Sequence, residues 1–163
     1  MESASDANIK KPQATTQAQT NKPLLRRGST GEDVEELQKL LTQWQAFTGK
    51  IDGNFGQQTE KGVKAFQHRV FLVEDGIVGQ LTWQALYVGA PVNMPILKQG
   101  SRGQAVTMLQ RVLKETRDYG APIDGDFGPQ TDTAVKAFQK RSNLPIDGVV
   151  EERTWQALSK VPH

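Results

Sequence analysis

Ile51-Asp52-Gly53-Asn54-Phe55-Gly56-Gln57-Gln58-Thr59 returns 72 residues later as Ile123-Asp124-Gly125-Asp126-Phe127-Gly128-Pro129-Gln130-Thr131. In each copy Asp-Gly predicts a tight turn, because Asp can bond its own backbone and Gly accepts a positive φ. Phe55 and Phe127 then reach a core from the loop. Pro129 suits the first turn of a helix, where an amide proton is not needed. A helix follows in both copies, with Val63 and Phe66, or Val135 and Phe138, on its buried side, and both spell V-K-A-F-Q.

Outward from this stretch the repeat continues without a gap. Residues 24–86 overlay 96–158, with about 30 of 63 positions identical. A period this long marks a duplicated small domain rather than a solenoid unit. Upstream, Val34, Leu37, Leu40, Leu41 and Trp44 fall at helical spacing, as do Val106, Leu109, Val112 and Leu113. Ser29-Thr30-Gly31-Glu32 and Ser101-Arg102-Gly103-Gln104 have the form of a capping box, so both serines are expected to cap this first helix. Downstream, Asp75-Gly76-Ile77-Val78-Gly79 and Asp147-Gly148-Val149-Val150-Glu151 repeat the turn. Each opens a short third helix carrying Trp83, Ala85 and Leu86, or Trp155, Ala157 and Leu158. The expected fold is mainly all-α: two tandem three-helix bundles with Asp-Gly turn loops and no true sheet.

The expected organisation is a polar tail over 1–23, a first domain over 24–89, a linker over 90–95 and a second domain over 96–160. The tail is rich in Gln, Thr, Ala, Ser and Lys, too poor in apolar surface to offset its ordering entropy, and reads as disordered. It lacks the apolar core of a signal peptide. The join from Gly89 to Pro95 holds two prolines and a glycine and reads as a short, stiff linker.

Composition narrows the chemistry. The chain has 163 residues, no Cys, two His and a net charge of +2 from 20 basic and 18 acidic side chains. Mixed charge gives no concentrated positive field, so nucleic acid is not an expected partner. No apolar run is long enough for a transmembrane segment. Neither a metal cage nor a cofactor is expected, and Asp124-Gly125-Asp126 lacks the full spacing of a calcium loop. No Cys nucleophile, zinc motif, G-x-S-x-G or phosphate loop is present, so the expectation is that the protein is not an enzyme.

Three motifs recur in order in both copies. They are G-S-x-G-x-x-V-x-x-L-Q from Gly28 and from Gly100, the stretches 52–67 and 124–139, and D-G-x-V-x-x-x-T-W-x-x-L from Asp75 and from Asp147. They resemble the type 1 peptidoglycan-binding domain, and the match covers all but the tail and linker. Gly62 stands where that family pattern has Ala, and Glu151 where it has Gly. The first copy also lacks the Leu144-Pro145 step.

The resemblance implies a compact three-helix module, hydrolysis confined to a separate domain, and a non-catalytic protein that binds the glycan or peptide of peptidoglycan through a shallow groove. It implies a cell-envelope or periplasmic location. The repeated polar side chains Gln58, Thr59 and Gln67, with Gln130, Thr131 and Gln139, are the candidate ligand contacts. Their alternative role is structural: the threonines at helix starts, Gln67 and Gln139 in the core. Asp52, Phe55, Trp83, Asp124, Phe127 and Trp155 read as structural motif residues, with sugar stacking as the alternative for the rings. The alternative function is a structural or docking subunit of a larger assembly, such as a phage-tail-like machine. Such a subunit would be cytoplasmic until incorporated and would meet other protein subunits through its N-terminal tail.

Overall fold

The computed structural model describes residues 22–163, and contacts divide the chain between Val92 and Asn93. Residues 1–21 of the expected tail lie outside the described residues. Unit 1 carries α1 (Glu32–Gln43), α2 (Gln57–Arg69) and α3 (Gln80–Val88). Unit 2 carries α4 (Gln104–Glu115), α5 (Pro129–Arg141) and α6 (Glu152–Lys160). The all-α expectation of two three-helix units holds.

Each core is built from the apolar periods read in the sequence. In unit 1, Val34, Leu37 and Leu41 from α1 meet Val63 and Phe66 from α2 and Trp83 and Leu86 from α3. Val106, Leu109, Leu113, Val135, Phe138, Trp155 and Leu158 are the buried counterparts in unit 2. Phe55 and Phe127 are buried, as are Trp83 and Trp155. These rings have no face left for sugar stacking. Each indole N–H finds a partner, Trp83 donating to the Pro23 carbonyl and Trp155 to that of Pro95, both at 2.8 Å. A buried Trp requires such a partner.

Among the described residues, extended pairing is limited to four isolated antiparallel bridges, Leu25 with Val78, Thr30 with Asn54, Leu97 with Val150 and Arg102 with Asp126. They stitch the segment before the first helix to both Asp-Gly loops. Leu25 and Val78 exchange hydrogen bonds of 3.1 and 2.8 Å, and Phe55 N–H donates to the Ser29 carbonyl at 2.9 Å.

The capping-box expectation is corrected. The helices start one residue after Gly31 and Gly103, which occupy the cap positions at φ 118° and 121° and have no side chain to offer. Ser29 and Ser101 lie too far upstream. Ser29 Oγ instead accepts from Arg26 N–H at 3.1 Å and Ser101 Oγ from Lys98 N–H at 3.0 Å, closing the preceding turn. The S-x-G spelling therefore records a turn followed by a left-handed backbone step that favours glycine.

Two departures from the family pattern have physical explanations. A Cβ on Gly62 would lie 2.8 Å from the Ala46 carbonyl oxygen, so this helix position must be glycine where the loop crosses so closely. Gly79 sits at φ −98° with nothing near its missing Cβ, and Glu151 takes up the same extended conformation freely.

Of the residues expected in the tail, Lys22 and Pro23 pack on unit 1. Lys22 bridges Glu36 and Asp33 and lies 5.5 Å from the centre of the Trp83 ring. Tyr87 donates to the same Glu36 carboxylate. Burial alone would raise the pKa of Glu36, but the bonds from Lys22 and Tyr87 outweigh it and hold the group below the ordinary glutamate value. Within the expected linker, Ala90 and Pro91 are buried with unit 1.

Candidate functional site

The repeated polar residues sort into two sets. Thr59, Thr131, Gln67 and Gln139 are all 1–2% exposed, and their polar atoms bond within the protein. They form one device used four times. Gln38 projects from α1 and accepts from the N–H groups of Asp52 and Gly53, both at 3.0 Å. Its amide nitrogen faces Asp52 Oδ1, the Asn54 carbonyl and Thr59 Oγ1 at 3.0–3.1 Å. Gln110 repeats this with Asp124, Gly125, Asp126 and Thr131.

Gln67 and Gln139 do the same one helix later. Each accepts from the turn glycine, Gly76 or Gly148, at 3.0 Å. Each donates toward an Asp carboxylate, a backbone carbonyl and a Thr hydroxyl: Asp75, Ile77 and Thr82 for Gln67, and Asp147, Val149 and Thr154 for Gln139. Only one amide orientation satisfies these groups, because the flipped one sets NH2 against N–H. The Gln, Asp-Gly and Thr of each motif thus form one clip holding a loop to two helices. Thr131, Gln67 and Gln139 have no surface to offer a ligand, and Thr59 is 2% exposed.

The clips also act electrostatically. The Asn54 amide and the Gln38 side chain hold the Asp52 carboxyl below the ordinary value of 3.8, and the Asp126 amide with Gln110 does the same for Asp124. A carboxyl lowered in the fold contributes stability above its unfolded pKa and loses it as pH falls through the folded value. Urea midpoints should therefore hold steady from about pH 7 to 5 and drop below about pH 4. The doubly substituted Asp52→Asn, Asp124→Asn protein, which keeps the acceptor oxygens without the charge, should show a shallower acid slope. An unchanged slope would place the acid sensitivity elsewhere.

Gln58 and Gln130, by contrast, are exposed and border a groove in each unit. In unit 1 an opening of about 360 Å³ runs between the α1–α2 loop, at Phe47 and Lys50, and the start of α2, at Gln57 and Gln58. Asp52 and Asn54 also line it, together with the clip residues Gln38 and Thr59. In unit 2 an opening of about 450 Å³ overlaps the aligned place at Tyr119, Pro129 and Gln130, and lies between Asp118, Tyr119, Gly120 and Ala121 on one side and Pro129, Gln130 and Thr133 on the other. Gln58 Oε1 lies so close over Gly49 that a Cβ there would sit 2.7 Å from it. Tyr119 occupies the place of Phe47, and its hydroxyl donates to the Pro122 carbonyl at 2.6 Å. Of the six repeated side chains, the fold brings Gln58 and Gln130 to overlapping grooves, leaves the buried Thr59 bordering the first, and draws the other three inside.

Sequence reading missed most of these lining residues. Phe47, Lys50, Asp118 and Tyr119 lie on a loop with no period, entered through Gln45 and Arg117 at φ 62° and 70°. Their available signal was the aromatic shared at 47 and 119. Among the described residues no cluster of His, Asp or Glu could hold a metal, and no helix is long and apolar enough to cross a membrane.

These twin helical units, each with its groove, match a known pattern. The peptidoglycan binding domain family matches residues 30–86 and again 102–158, and the chain belongs to that family. It is 32% identical over 161 residues to the N-acetylmuramoyl-L-alanine amidase CwlL of Bacillus licheniformis, covering 83% of this chain and 45% of that protein. It is 44% identical over 91 residues to the spore cortex-lytic enzyme of Bacillus subtilis (strain 168), covering 55% of this chain and 30% of that protein. Among solved structures, the SleB N-terminal domain is 40% identical, covering 41% of this chain and 92% of that one with a TM-score of 0.41.

The chain spans less than half the length of the amidases it matches. These names correct the expectation that the protein is not an enzyme, since the relatives are amidases and cortex-lytic enzymes. That expectation rested on the absence of catalytic motifs within residues that correspond to under half of such proteins. It therefore carried no weight for the activity as a whole.

Proposed function

We propose that the two units hold peptidoglycan-cleaving activity against the cell wall, each seating a segment of peptidoglycan in the groove beside Gln58 or Gln130. The observation that carries this reading is that an open groove bordered by the same exposed Gln occurs at overlapping places in both units. The surrounding loop has diverged, as in Lys50 against Pro122 and Gln57 against Pro129. Family membership supplies the ligand class, and the lytic relatives supply the activity to be positioned. A cell-wall-associated location follows from the same reading.

Co-sedimentation with purified sacculi tests it. The chain should pellet with the wall, and the double replacement Gln58→Ala, Gln130→Ala should weaken binding roughly tenfold without lowering the melting temperature, because neither side chain belongs to a clip. A protein that stays in the supernatant at high concentration would end the reading.

A further inference from the structure

The two grooves overlap at three aligned positions but differ in chemistry. Groove 1 is lined by Lys50 and Asp52 together with the uncharged amides of Asn54, Gln57 and Gln58. Lys50 stands on the rim, exposed. Asp52 has its Oδ1 engaged by Gln38 and by the Asn54 amide. A cation and an anion therefore flank one opening.

Groove 2 has no lining cation. Pro122 replaces Lys50 and Pro129 replaces Gln57. Its one lining carboxylate, Asp118, is 11% exposed and closed by Arg141 at 2.6 Å and by the Thr116 hydroxyl at 2.6 Å. Nearby Lys114 donates to the Ala121 carbonyl at 3.1 Å. Groove 2 therefore has no lining cation and a lining carboxylate already paired, whereas groove 1 is lined by an exposed lysine and an aspartate.

Peptidoglycan offers a partner for each. Its glycan presents hydroxyls and acetamides, whereas its stem peptide carries carboxylates and, on an uncrosslinked diamino acid, a free ammonium. We infer that groove 1 is specific for the stem peptide, with Lys50 as its specificity-determining residue, receiving a peptide carboxylate. The inference rests on the wall-binding reading above and refines it to one unit and one part of the polymer. Gln58, on the same rim, supplies an amide to the peptide backbone.

The test uses the full chain and the soluble tetrapeptide L-alanyl-γ-D-glutamyl-meso-diaminopimelyl-D-alanine, titrated calorimetrically, with peptide-stripped glycan strands as a second probe. Lys50→Gln should weaken tetrapeptide binding roughly threefold to tenfold, the range for one exposed charge-assisted contact, and Lys50→Arg should restore it. Added salt should weaken the wild-type interaction and leave that of Lys50→Gln nearly unchanged. Binding to stripped glycan should be equal in all three proteins. Equal tetrapeptide affinity in wild type and Lys50→Gln, or no tetrapeptide binding by a chain that still pellets with sacculi, would overturn the inference and leave wall binding intact. Failure to pellet with sacculi would instead remove the wall-binding reading itself.

Discussion

Replacing Gln110 with alanine should destabilise unit 2 by about 2–5 kcal/mol, because several polar groups lose their partner at one stroke. The amides of Asp124 and Gly125 lose the oxygen they donate to, and Asp126, Thr131 and Tyr119 lose the shared amide donor. Gln110 and Gly125 are buried, so water cannot take over without opening the loop. Each buried group left unpaired costs about 1–3 kcal/mol, and the space vacated by the side chain adds to that. Gln110→Glu should rescue little. Its carboxylate can accept from the two amides, yet it cannot donate to Thr131 and would stand against Asp124. Urea unfolding followed by the fluorescence of Trp155 reads the effect, and Gln38→Ala should behave alike in unit 1. A loss under about 0.5 kcal/mol would mean that the Asp-Gly turn holds itself.

The second large effect concerns binding. If each unit engages peptidoglycan, the intact chain should bind sacculi about 10²–10⁴ times more tightly than either unit alone, because the second contact becomes intramolecular. The comparison needs separate units, and we propose the boundary between Val92 and Asn93. Each half should give a helical circular-dichroism spectrum and a cooperative melt, since the buried residues of unit 1 gather into their own cluster. A coil spectrum from either half would show that the copies share one core. Affinity of the pair no better than that of the stronger half would show that only one unit binds.

Much of this architecture was legible before any coordinates. The helices announced themselves through apolar periods, and the turns through Asp-Gly, because both signals are local. The duplicated spelling then separated retained positions from free ones. What the spelling could not give was direction. Gln38 and Gln67 are polar residues amid helical periods, and nothing local states that one bonds the first turn and the other the second. Thr59 looked equally suited to solvent or interior. Ser29 matched a capping pattern, but Gly31 moved the helix start beyond its reach. The grooves were least legible of all, because their walls come from an aperiodic loop facing a helix start about ten residues away.

The clips have a consequence for how this protein ages. Asp-Gly is the aspartyl dipeptide most prone to spontaneous succinimide formation, in which the glycine nitrogen attacks the aspartate side-chain carbonyl with loss of water and hydrolysis reopens the ring largely as isoaspartate. This chain carries four such pairs, at Asp52-Gly53, Asp75-Gly76, Asp124-Gly125 and Asp147-Gly148. In the fold each attacking nitrogen has its proton committed to a glutamine oxygen at 2.9–3.0 Å. Each aspartate Oδ1 is meanwhile turned to the same glutamine and to the amide two residues on. Nucleophile and electrophile are thus neighbours in sequence yet held out of reaction. The lesions should accumulate only in molecules that have opened, so that isoaspartate content becomes a chemical record of time spent unfolded.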